Sequence, residues 1–115
     1  MSKQPAFAWF HNKSDDPRKT IGFYETLLSW QGSPTDDGSH LLVATDGPFA
    51  GIASRGPAPA GWVPFVAVPD LDAATKNAAA LGGVALGPRQ AGPMGDFSIL
   101  KDPGGAVFAL WQARK

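Results

Sequence analysis

Cysteine is absent from this 115-residue chain, which excludes disulfides, thiolate metal sites and a cysteine nucleophile. Glutamate occurs once, as Glu25, and histidine twice, as His11 and His40. Few side chains are therefore left to hold a divalent ion or move a proton. Charge is sparse too: 17% of residues are charged and the formal net charge is zero. Basic residues never gather beyond about a pair, so neither nucleic acid nor an anionic membrane surface is expected as a partner. No apolar run approaches the roughly 20 residues of a membrane span, and the opening MSKQPAFAWF lacks the apolar stretch of a signal peptide. The expectation is a soluble, cytoplasmic protein, and the length suits a single domain over 1–115.

What the chain does have is punctuation, with 14 glycines and 11 prolines falling between short apolar runs. Residues 6–13 alternate as a strand. Asp16 then offers a helix N-cap and Pro17 suits the first helical position, where its missing N–H costs nothing. Ile21, Tyr24 and Leu28, with Phe23 and Leu27 alongside, form an apolar stripe at helical spacing. Strands are expected around Trp30, 40–45 and 49–54, followed by the linker-like RGPAPAG at about 55–61. A strand at 62–68 leads to a second N-cap, Asp70, and a second stripe of Leu71, Ala74, Ala78 and Leu81, stopped by Gly82 and Gly83. Strands near 84–88, 96–101 and 106–112 complete the pattern. Asp102-Pro103-Gly104-Gly105 reads as a type II turn before the last of them.

The pattern repeats. Asp16 and Asp70 stand 54 positions apart, as do Leu27 and Leu81, while DGPFAGIA (46–53) and DPGGAVFA (102–109) are offset by 56. A β-α-β-β-β unit occurring twice, at about 6–54 and 62–112, is the simplest reading.

The helix carrying Phe23, Tyr24, Leu28 and Trp30, then VPDLDAA…AAALGG and the closing DFSILKDPGGAVFALWQ, resemble the vicinal oxygen chelate superfamily. That group includes glyoxalase I, extradiol dioxygenases, fosfomycin-resistance enzymes and bleomycin-resistance proteins. The resemblance covers about residues 6–112, with one departure at Ser29, where members often have glycine. It implies an α+β fold of two βαβββ modules in a cup-shaped, open barrel-like mixed sheet, with helices on the convex side and a ligand pocket on the concave one. It also implies a homodimer.

Metalloenzymes of the superfamily usually draw His and Glu ligands from the first and last strands of each module. Carried onto this chain, those positions are Trp9, Val63, Ala109 and Ala53, the last becoming Gly51 if the register slips by two. None offers a lone pair to a divalent ion, so no metal and no other cofactor is expected. A rebuilt site on His11 would need partners from His40, Asp36, Asp37 and Asp96. His40 itself reads as a surface histidine.

What the resemblance leaves is an aromatic-lined pocket of Trp9, His11, Phe65 and Trp111, with Trp62 and Phe97 at its rim. Such walls, with one or two polar groups, suit a small apolar or aromatic molecule. The leading expectation is a metal-independent small-molecule-binding protein. The alternative is a glyoxalase-like lyase, isomerase or dioxygenase using a non-standard metal site or His11-based chemistry. A third possibility is a domain acting through protein contacts. No catalytic residue is assigned.

Overall fold

The computed structural model describes residues 5–35, 38–92 and 94–114. They fall into two compact units. One spans Trp9–Val63, and the other comprises the described residues from Pro64 onward together with residues 5–8. Asp36 and Asp37, candidates for a rebuilt metal site, lie outside the described residues.

β1 (Phe7–Ser14), which enters the first unit at Trp9, leads into α1 (Pro17–Leu28), then β2 (Gln31–Pro34), β3 (His40–Ala44) and β4 (Gly47–Ser54). The helix starts where the sequence says it should: the Asp16 carboxylate accepts the Lys19 N–H at 3.3 Å and Pro17 opens the first turn. β2, β3 and β4 pair antiparallel in chain order, and β1 joins β4 in parallel. Ile21 of α1 packs on Leu42, Ala50 and Ile52. One face of this sheet is thereby committed to the helix. The rest of the expected helical stripe is not buried, for Phe23, Leu27 and Leu28 stand 58%, 61% and 46% exposed. The helix has only one sheet face to cover, and Ile21 with half-buried Tyr24 covers it.

The second unit repeats this plan. β5 (Gly61–Ala67) crosses the unit boundary after Val63 and is followed by α2 (Leu71–Ala80), β6 (Val84–Ala85), β7 (Gln90–Ala91), β8 (Gly95–Lys101) and β9 (Val107–Ala113). β9 pairs β5 in parallel and β8 antiparallel, and β8 takes β6 and β7 on its other side. Two two-residue strands thus stand where the first unit has β2, and the sequence pattern contained no sign of β7. Asp70 caps α2 through the Ala73 N–H at 3.1 Å, and the Gln112 side chain accepts the Leu71 N–H at 2.8 Å, fixing the helix start to β9. Leu71, Leu100 and Leu110 form the core beneath α2, whereas Leu81, expected on the buried stripe, is exposed.

Two local details correct the sequence reading. The turn before β9 is not type II, because positive φ falls on Gly105 and not on Gly104. The Asp102 carboxylate accepts the N–H groups of Gly104 and Ala106, both at 3.0 Å, and holds the chain in this alternative turn. Ser29, the departure from the usual glycine, caps α1 at φ 58°, the one described non-glycine residue with positive φ.

Candidate functional site

Strand side chains alternate, so each sheet face carries every second residue. On β1, Phe10 and Asn12 pair with Ala50 and Ile52, which pack under α1. Trp9, His11 and Lys13 therefore form a row on the opposite face. Their partners on β4 are small: His11 pairs with Gly51 and Lys13 with Ala53.

The row is internally bonded. The Trp9 indole Nε1–H donates to His11 Nδ1 at 3.1 Å. An indole nitrogen can only donate, so Nδ1 must present its lone pair and the neutral ring carries its proton on Nε2. The imidazole also lies close over β4, for a Cβ added to Gly51 would come within 2.6 Å of its Cε1. His11 is thus a fixed donor at Nε2, with its basic nitrogen already engaged. Lys13 is buried, only 7% exposed, and that burial lowers its pKa below the usual lysine value.

In the second unit Phe65, Phe97 and Trp111 share the face opposite α2. Phe97 pairs with Trp111 and Phe65 with Ala109, and the Phe65 and Phe97 rings are 5.3 Å apart. Gly95 leaves space for the Trp111 indole, whose Nε1 would lie 2.8 Å from an added Cβ. Trp62, expected at the pocket rim, turns elsewhere. Its Nε1 donates to the Tyr24 hydroxyl of α1 at 2.9 Å, and it borders a groove of about 220 Å³ with Phe10, Trp30 and Phe49. That is the helix-side face, not the row of Trp9 and His11. A larger groove of about 500 Å³, also in the first unit, runs from Trp62 and Tyr24 to Lys19 and Asp16.

The two strand registers settle which last-strand positions correspond. Phe65 opposite Ala109 matches His11 opposite Gly51, so the first-strand offset is 54 and the last-strand offset is 58. Gly51, rather than Ala53, is the counterpart of Ala109. The positions where the superfamily's metalloenzymes keep ligands are then Trp9, Gly51, Val63 and Ala109, with Val63 and Ala109 almost fully buried. These side chains do not fit a divalent metal ion. Among the described residues no three His, Asp or Glu side chains gather into a possible ligand set. Asp96 is held by Arg89 at 2.9 Å. His40 is half-buried, not a surface residue. It pairs with Ile52 on the helix-side face, and its Nδ1 is buried with no hydrogen-bond partner among the described residues.

A model of the glyoxalase-like domain matches residues 9–111. The anthracycline biosynthesis protein DnrV of Streptomyces peucetius is 29% identical over 91% of this chain and 46% of its own length. A putative glyoxylase, CFP32, of Mycobacterium bovis is 30% identical over 93% of this chain and 45% of its own length. The chain thus spans about half the length of the curated relatives it matches. Among solved structures, methylmalonyl-CoA epimerase of Streptomyces coelicolor matches with TM-score 0.60 and 14% identity over 95% of this chain and 97% of that one. At that identity the likeness speaks for the fold alone. No described helix is long and apolar enough to cross a membrane.

Proposed function

The chain belongs to the glyoxalase-like domain family, with the α+β fold of the vicinal oxygen chelate superfamily, and we propose that it is a metal-independent binding protein for a small aromatic molecule. The observation that carries this reading is the Trp9–His11 hydrogen bond. It occupies the basic nitrogen of the histidine nearest the family's first-strand ligand position, and leaves an indole beside a fixed N–H donor. A flat apolar surface with an orienting donor is what an aromatic ligand requires.

In this reading Trp9 and His11 are the binding residues of the first unit; Phe65, Phe97 and Trp111 are the aromatic surface of the second, taken by itself. The name of DnrV, a protein of anthracycline biosynthesis, agrees with an aromatic ligand. The same hydrogen bond counts against His11 as a general base, since Nδ1 would have to release the indole before taking a proton. We further propose a cytoplasmic homodimer, for which exposed Phe23, Leu27 and Leu28 supply apolar surface.

The test is metal analysis of protein purified without chelator, paired with a screen of aromatic compounds followed by tryptophan fluorescence in EDTA and in added zinc, nickel, manganese or iron. Binding that survives EDTA, in protein without stoichiometric metal, is the expected result. A stoichiometric transition metal required for binding would overturn the reading.

A further inference from the structure

We infer that the smaller groove on the helix side of the first unit is an aromatic cage for a quaternary ammonium group. The inference goes beyond the binding reading above. It concerns the sheet face opposite Trp9 and His11, and it stands or falls apart from that reading.

Side-chain chemistry carries the argument. Phe10, Trp30, Phe49 and Trp62 line the groove, and Ala50 completes its lining. Leucine or isoleucine would serve a purely apolar guest, whereas a ring adds a face of negative potential that attracts a cation. None of these side chains is charged, so nothing in the lining repels one. None brings a hydrogen-bond acceptor either, so a primary ammonium would leave its N–H groups unpaired there. A quaternary ammonium has no N–H to lose. At about 220 Å³ the groove falls below the roughly 300–1,000 Å³ of a pocket for a drug-sized ligand, a size that suits a headgroup.

The ring geometry agrees. Tyr24 of α1 stacks on Trp30, with centroids 5.4 Å apart and planes 21° from parallel. Two rings turn steeply away from this pair, Trp62 at 66° to Tyr24 and Phe49 at 75° to Trp30. Walls at such angles enclose a rounded tetrahedral head better than a flat ring. They are also held in advance. The Tyr24 hydroxyl accepts the Trp62 Nε1–H, which fixes that indole, and Trp30 and Phe49 pack on the core of Ile21, Leu42, Ala50 and Ile52. Little side-chain freedom is then lost on binding. Phe10, 45% exposed, and Trp62, 37% exposed, leave ring surface open to an arriving ligand.

Choline and its uncharged carbon isostere, 3,3-dimethylbutan-1-ol, test the inference when titrated into nitrogen-15-labelled protein. The indole N–H signals of the four tryptophans report both affinity and place. Choline is expected to move the Trp30 and Trp62 signals, leave those of Trp9 and Trp111 in place, and bind about five-fold or more tightly than the alcohol. Trp62→Leu keeps apolar bulk without a ring face and should remove most of that preference, while Trp62→Phe should retain it. Phe10→Leu, at an exposed position, should lower the preference even if Trp62→Leu folds poorly. Equal binding of the two compounds, no binding of choline, or choline shifts at Trp9 or Trp111 in place of Trp30 and Trp62 would overturn the cage. So would a full preference surviving in both leucine variants. None of these outcomes touches the binding reading, which the screen of aromatic compounds decides.

Discussion

The imidazole of His11 occupies the space that a side chain on Gly51 would need, with its Cε1 2.6 Å from where that Cβ would stand. Gly51 is therefore the floor on which the histidine rests. Gly51→Ala should expel the ring and break its bond to Trp9, destabilising the fold by about 1–3 kcal/mol, the usual cost of overpacking. In a His11→Ala background the same substitution should cost well under half as much. Chemical denaturation of the four proteins of that cycle measures the difference, and equal costs would show that the ring is not what fills the space.

The Trp9–His11 bond also makes a spectroscopic prediction. Nitrogen-15 NMR of histidine-labelled protein above pH 8 should show His11 with its proton on Nε2 and an acceptor-type Nδ1. Trp9→Phe removes the indole donor and should cost about 1 kcal/mol, with Nδ1 losing its hydrogen-bonded shift. An Nδ1–H tautomer in the wild type would contradict the arrangement.

Ser29 closes α1 in the left-handed region at φ 58°. An L-residue there bears roughly 1–2 kcal/mol of strain that glycine escapes, though glycine also gains entropy in the unfolded chain. Ser29→Gly should therefore raise stability by about 0.5–1 kcal/mol, or roughly 2–5 °C in melting temperature. Thermal melts of the two proteins decide it, and no gain would mean that the serine side chain compensates its own strain.

Burial lowers the Lys13 pKa in the folded protein relative to the unfolded chain. Between the folded value and the ordinary lysine value, the unfolded chain holds more protons, so stability rises with pH in that alkaline window. Below the folded value the full penalty applies. Lys13→Met should accordingly be more stable than the wild type at neutral pH, and its denaturation midpoint should lack the alkaline rise traceable to this group. Parallel urea titrations across the window provide the check. A wild-type advantage at neutral pH would show that the ammonium's contacts outweigh its desolvation.

Much of the fold was legible because its signals are local. Asp16 and Asp70 cap helices through side chain–backbone bonds that the sequence spacing already implies. The doubled pattern of capped helix and alternating strands made the α+β class readable too. Helix burial was less so. Periodicity marks Leu27 and Leu81 as apolar stripe members, but each helix covers a single sheet face and leaves both residues in solvent. The drift between the last strands, 58 positions against 54, was hidden because only ladder register reveals which residues stand opposite one another.

The candidate site divides similarly. Alternation along β1 placed Trp9 and His11 on one face, but that Phe65, Phe97 and Trp111 share a face follows only from the pairing of β5, β8 and β9. Lys13 belongs to that row by alternation as well, yet a lone lysine at a strand end reads as a solvated charge until its burial is known. Trp62 could not be assigned, since its direction depends on the Tyr24 hydroxyl, 38 residues away in sequence.

The outer strands of the two units have a consequence for self-recognition. β2 is four residues long and ends in Pro34, and its counterpart is split into β6 and β7, of two residues each, with Pro88 between them. A proline cannot donate to a new ladder, and a two-residue strand offers another chain hardly any length to extend. These margins are poor templates for strand addition, the route by which open sheets polymerise. Contacts between copies along them would have to be made by side chains, whose identity can be selected, instead of by backbone, which every protein shares.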